Sequence, residues 1–194
     1  MILSGYTMDK DSNPIAGANV YIISANFEPL HQALSDENGF YSFDLPEGKY
    51  KYLVAVKDYN EKYLEYWCEN IDLSEDRIID ARFDTLEVYA LNAFRVNGGH
   101  PALMVYFRPM SLKKVLAGEK DICPEIKSIR AFVNGAEVAV LETNKVREFA
   151  ADMTMGAYLI QIALPEGVND WERLDVEIRD EADAFGMATL FAKC

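Results

Sequence analysis

The chain has 194 residues, 50% of them hydrophobic and 12% aromatic, and no stretch of it is low in complexity. That is enough apolar surface for a packed core, which excludes a disordered chain, and enough length for one large domain or two of about 100 residues each. A formal charge of −13 argues against nucleic acid and against an anionic membrane surface, both of which are bound through Lys and Arg, and no apolar run approaches the roughly 18 residues of a membrane helix.

In chain order, Ile2 opens a strand expected over 2–8, and a polar turn through 9–14 leads to a second strand over 19–25. The stretch LHQALSD, 30–36, is a third candidate. Asn38-Gly39 and Pro46-Glu47-Gly48 are turn signals, because Gly and Asn tolerate positive φ and Pro fixes it near −65°. Between them Tyr41, Phe43 and Leu45 point one way while Ser42 and Asp44 point the other; beyond them Tyr52, Val54 and Val56 alternate in the same manner. With further candidates in 61–74 and 77–84, about seven short strands read as an antiparallel sandwich.

Two motifs carry a family resemblance. Asp9 to Val20 reads D-x-x-x-x-P-I-x-G-A-x-V, and Asp36 to Tyr50 reads D-x-x-G-x-Y-x-F-x-L-P-x-G-x-Y. Together with Gly5 they resemble the carboxypeptidase regulatory-like domain, a transthyretin-like β-sandwich, over about residues 2–83. The resemblance implies a non-catalytic appendage, usually of secreted or surface proteins, with no particular ligand. Transthyretin-like folds include a purine-pathway hydrolase, but its Y-R-G-S signature and its histidines have no counterpart here.

The second half resembles no named family. Strands are expected at 86–96, 102–108, 126–133, 136–142, 158–164, 174–179 and 187–192, with a short helix or loop at 110–120. Asn134-Gly135 signals a type I′ hairpin pairing Val133 with Ala136, Ala131 with Val138 and Ile129 with Val140. The fold expected is therefore all-β, with two β-sandwich domains: 1–84, carboxypeptidase regulatory-like, and 85–194, immunoglobulin-like. The recurrence of LPEG at 45–48 and 164–167 reads as convergent turn chemistry.

Candidate chemistry is sparse. His31 and His100 lack any metal-ligand or catalytic spacing, and no nucleophile elbow, phosphate loop or dinucleotide fingerprint occurs. No catalytic residue, metal or cofactor is assigned. Asp9 to Pro14 places oxygens as a calcium loop does, but Pro14 stands where such a loop needs Gly, and a turn between strands explains the same residues. Cys68, Cys123 and Cys194 read as free thiols, the alternative being one disulfide and a leftover Cys. The start Met1-Ile2-Leu3-Ser4-Gly5 has no signal-peptide character, so the sequence as written reads as cytoplasmic; an extracellular or surface location is the alternative if a leader precedes it.

Acidic charge gathers in 61–80, net −5, and in 166–183, net −6, either as solvated faces or as a site for a cation or basic partner. Tyr63, Glu65 and Trp67 would share one face of a strand. They form either an exposed platform for a sugar or a partner's apolar side chain, or packing within and between the sandwiches. The function expected is a non-catalytic binding or structural module with a protein or carbohydrate partner, the alternatives being a carbohydrate-binding protein and an unrecognised hydrolase. Asp175, Glu177 and Arg179 look like the guard of an exposed sheet edge, which suggests a monomer or weak dimer.

Overall fold

The structure, a computed structural model, describes residues 1–96, 98–150, 153–165, 167 and 170–192. The first half contributes β1 (Ile2–Met8), β2 (Asn19–Ile23), β3 (Pro29–Leu34), β4 (Phe40–Asp44), β5 (Gly48–Val56), β6 (Tyr66–Leu73) and the two-residue strands β7 (Arg77–Ile78) and β8 (Ala81–Arg82). The second contributes β9 (Leu86–Phe94), β10 (Ala102–Ser111), helix α1 (Leu112–Leu116), β11 (Ile126–Val133), β12 (Ala136–Val138), β13 (Val140–Ala150), β14 (Met153–Ala163), β15 (Arg173–Asp180) and β16 (Phe185–Phe191). The fold is all-β sandwich, as the alternation predicted.

One device closes three of the turns. Asp9 Oδ1 accepts from the backbone N–H of Asp11 and Asn13, Asp36 Oδ1 from Asn38 and Phe40, and Asp180 Oδ1 from Ala182 and Ala184. Each carboxylate thus holds a tight loop in place of a backbone partner. Asn134 and Gly135 both have positive φ, 51° and 80°, as a type I′ turn requires. Gly5 has a different role: a Cβ there would lie 1.9 Å from the Ile79 carbonyl oxygen, so β1 can approach the 77–82 segment only with glycine at that point.

The strands form three sheets. Eight run side by side in the order β12-β11-β15-β16-β6-β5-β2-β3, spanning both halves of the chain. The join is parallel, Ala188 opposite Trp67, Thr189 opposite Cys68 and Leu190 opposite Glu69. A small sheet, β4-β1-β7 with β8 also on β1, covers one face of the first-half strands. A second small sheet, β13-β14-β10-β9, covers the opposite face of the second-half strands.

Side-chain alternation shows the offset. In β16, Phe185, Met187 and Phe191 enter the first core with Leu3, Tyr41 and Phe43, while Ala188 and Leu190 enter the second with Leu103, Val105 and Ile160. In β6, Tyr66 and Cys68 face the first core and Trp67 the second. Strands at the junction are covered on both sides and lack the polar alternation of one-sided strands.

Several expectations change. The 77–84 segment yields two short strands that pair with β1 in parallel, so the first half is not purely antiparallel. The hairpin at Asn134-Gly135 has the expected register through Ala131 and Val138, but Val140 does not pair with Ile129. It crosses to the other sheet and pairs with Ile162, starting the long strand β13. β15 is no edge: it lies between β11 and β16, and Glu177 and Asp175 are held in ion pairs with Arg82, Arg130 and Arg173. Cys68 and Cys123 are buried free thiols, whereas Cys194 and part of the second LPEG phrase lie outside the described residues.

Because β16 fills part of the first core, truncating it should weaken both sandwiches at once. Phe185→Ala is expected to cost about 3–5 kcal/mol, read by urea unfolding followed with far-ultraviolet circular dichroism, and to leave a single transition. Two transitions, with one unmoved by the substitution, would show that the sandwiches unfold separately.

Candidate ligand cleft

Offset covering sheets leave a step on each face of the long sheet. On one face the covering sheet stops at its edge strand β9, beside uncovered parts of β5 and β6, and a cleft of about 260 Å³ opens there. Its aromatic lining is Phe27, Tyr52, Trp67 and Tyr89, and its polar lining is Lys51, Glu69, Asn70 and Asn92.

Each ring is placed by an identifiable local feature. Tyr52 and Trp67 lie on the neighbouring strands β5 and β6, where Tyr52 pairs with Glu69 and Val54 with Trp67. Tyr89 precedes a bulge in β9, where Ala90 takes φ 54° and the register against β10 shifts. Phe27 sits in the β2–β3 turn, which is closed by Phe27 N–H to Ser24 O at 3.0 Å and Ser24 N–H to Glu28 O at 2.9 Å. Its φ of 61° is a region that bulky residues rarely adopt, and the residue is 55% exposed.

The rings interlock. Phe27 stacks on Tyr52 at 5.4 Å with 15° between planes. Trp67 meets Tyr52 and Tyr89 edge-on at 5.7 and 5.5 Å. Lys51 lies 4.6 Å over the Tyr52 ring and binds Glu69 at 3.0 Å and Asn70 Oδ1 at 2.8 Å, which fixes the polar rim.

Beneath Trp67 is Glu87, 1% exposed. Its Oε1 accepts from Trp67 Nε1 at 2.9 Å and its Oε2 from the Glu65 backbone N–H at 3.2 Å. Burial, reinforced by the nearby Glu65 charge, pushes the Glu87 carboxyl up to about 8, and burial pushes Glu65 to about 7. Paired carboxyls with raised pKa values are a common mark of acid–base chemistry. Here, however, both Glu87 oxygens are engaged with the indole and a backbone N–H.

The three residues singled out from sequence are not brought together. β6 begins only at Tyr66, and 59–65 is turn and irregular backbone, so strict alternation does not run through Tyr63. Tyr63 packs edge-on against Phe83 at 5.5 Å beside the first core, whereas Trp67, 8% exposed, belongs to the second. Glu65 is half-buried. Sequence reasoning missed Phe27, Tyr52 and Tyr89 as lining residues. The available signal was Phe27 itself, a large aromatic inside the turn SANFEP. His31 and His100 are exposed and line no part of the cleft.

On the other face, β7 ends beside β15 and β16, leaving a groove of about 590 Å³. It is larger but its ions pair with one another: Arg77 with Glu172 at 2.8 Å, and Arg173 with Asp175 at 2.9 Å. At the Asp9 turn the carboxylate is likewise committed to its own loop, with Asn13 Nδ2 on Asp9 Oδ2 at 3.0 Å. Among the described residues no group of three or more His, Cys, Asp or Glu is arranged to hold a metal ion, and no helix is long and apolar enough to cross a membrane.

Residues 2–81 match the model of the carboxypeptidase regulatory-like domain, which bears out the resemblance carried by Asp9–Val20 and Asp36–Tyr50; the rest of the chain matches no family model. No curated protein matches the chain. Among solved structures the chain is similar to a DUF3823 family protein from Bacteroides ovatus ATCC 8483, at 11% identity over 99% of both chains with a TM-score of 0.34. It is also similar to a DUF3823 family protein from Parabacteroides merdae ATCC 43184, at 12% identity over 97% of both chains with a TM-score of 0.32. BcpA, the major pilin subunit of Bacillus cereus, aligns over 97% of this chain and 67% of that one at 12% identity and a TM-score of 0.33. Similarities this low carry no argument about ligand or assembly.

Two outcomes follow from the geometry. Trp67→Ala should cost about 3–5 kcal/mol, because it empties a packed site and leaves the buried Glu87 oxygen without its donor; a melting temperature within a degree or two of the parent would contradict this. Glu87 takes up a proton on folding, since its native pKa lies above its ordinary 4.5. Stability should therefore fall as pH rises from about 4.5 to about 8 and level off above that. Glu87→Gln should leave only the smaller fall due to Glu65. Thermal melts across that range test both statements, and a parent protein whose stability rises between pH 5 and 8 contradicts the first.

Proposed function

We propose that the chain is a non-catalytic binding module that holds a neutral sugar ring against Phe27 in the cleft beside β9. The observation that carries this reading is Phe27, a bulky residue kept at positive φ, more than half exposed and stacked flat on Tyr52. Such a conformation costs of order 1–3 kcal/mol and persists where surrounding structure enforces it, often at a ligand site. Phe27, whose inner face lies on Tyr52, offers its outer face to the C–H face of a sugar, while Lys51, Glu69, Asn70 and Asn92 offer donors and acceptors to hydroxyl groups. The cleft volume suits one ring. The charge of −13 disfavours an anionic ligand. The non-catalytic part of the reading rests on Glu87, whose oxygens are committed to Trp67 and Glu65.

Titration with a panel of neutral mono- and oligosaccharides, read by intrinsic tryptophan fluorescence, tests the proposal. At least one sugar should bind, and Phe27→Ala should weaken it about tenfold or more while leaving the melting temperature near the parent's. A parent that binds none of the panel, or a Phe27→Ala protein that binds equally well, would overturn the reading.

A further inference from the structure

The cleft that holds Phe27 does not stop at its polar rim. Asn70, Asn92 and Leu190 line it, and the same three residues line a second cleft of about 510 Å³. Asn70 of β6 and buried Leu190 of β16 form a floor common to both, tied across the parallel join by Asn70 Nδ2 to Phe191 O at 3.3 Å. β9 supplies the wall: Tyr89 to Asn92 line the first cleft and Asn92 to Arg95 the second. One groove therefore follows β9 from Tyr89 to Phe94, about 17 Å of strand.

Its far end is also aromatic. Leu91 and Ala93 pack into the second core, so the alternate positions of β9, Asn92 and Phe94, stand away from it. Asn92 is exposed, Phe94 is 48% exposed, and half-buried Trp171 packs against the second core. Phe94 and Trp171 both line the second cleft. Around Phe27 the rings interlock, but among the described residues Phe94 and Trp171 stack on no other ring, and the Asn92 amide and Trp171 Nε1 have no hydrogen-bond partner. These groups are open to a ligand. Charge is balanced in both clefts, with Lys51 and Glu69 in the first and Arg95 and Asp170 in the second. In a chain of net charge −13 that balance suits a neutral ligand.

We infer that the ligand of this groove is a neutral oligosaccharide chain, with one ring on Phe27, another against Phe94 and Trp171, and Asn92 bonding the hydroxyl groups between them. The inference rests on the reading of the Phe27 cleft and extends it from one ring to a chain. Aromatic faces and amide groups alternate along the groove, as C–H faces and hydroxyl groups do along a sugar chain. An extended peptide fits less well. It would add to the β9 edge through regular backbone pairing, and the bulge at Ala90 interrupts that edge within the groove.

Isothermal titration calorimetry of the full chain with neutral gluco-, xylo-, manno- and galacto-oligosaccharides tests the inference, using lengths from the single sugar to about six rings, enough to exceed about 17 Å of groove. For at least one series, affinity should rise about tenfold or more from the single ring to the longer members. Phe94→Ala and Asn92→Ala should each remove most of that rise and leave the melting temperature near the parent's, whereas Phe27→Ala should weaken every length. A single sugar bound as tightly as its oligomers, or a rise that survives both β9 substitutions, would overturn the inference and leave the Phe27 reading standing. A parent that binds no sugar of any length, or that binds neutral extended peptides in their place, would overturn both.

Discussion

The parallel pairing of β6 with β16 is the constraint on which the rest depends. It joins strands more than 100 residues apart in sequence and makes one sheet of what would otherwise be two. Because the covering sheets lie on opposite faces, these strands must be apolar on both sides. Polar groups at the join are satisfied internally: Tyr66 O–H donates to Thr189 Oγ1 at 2.7 Å, and Thr189 donates to Asp175 Oδ1 at 2.5 Å. Asp175 in turn faces Arg173. A buried chain of this kind is costly when any member is missing, so it ties the first core to the second in register as well as in contact.

Both steps follow from the same offset. Had the small sheets covered one common face, β9 would not border the open face of β5 and β6, and Tyr52 would lie either under a sheet or on a plain surface. The cleft therefore arises from the architecture, whereas its character comes from local choices: the left-handed turn that holds Phe27 up, the bulge at Ala90, and Lys51 bridging Glu69 and Asn70.

Much of the fold was legible because its signals are local. The alternation in Tyr41, Phe43 and Leu45, the turn at Asn134-Gly135 and the motif from Asp36 to Tyr50 each need only a few neighbouring residues to act. The join was not legible in that way, since pairing across more than 100 residues leaves no periodic trace. It did leave a compositional one. Tyr66, Trp67 and Cys68, and the run from Phe185 to Phe191 apart from Thr189, lack polar alternation on successive positions, which marks strands covered on both faces. The crossing at Ala139 escaped notice because a continuous strand and a strand that changes sheets share the same alternation. At the site, Trp67 was legible as a packed aromatic. Its companions were not, because Phe27, Tyr52 and Tyr89 come from three separated elements that only the tertiary fold assembles.

The central claim is that the β6–β16 join makes the two cores one cooperative unit, and native-state amide hydrogen exchange tests it most directly. Core amides of the first sandwich, such as Leu3, Val20 and Leu53, and of the second, such as Ile160 and Val176, should open with one shared free energy equal to that of global unfolding. If either set exchanged through an opening well below the other, with β6 and β16 parting first, the join would be a contact between independent domains and the account would fail.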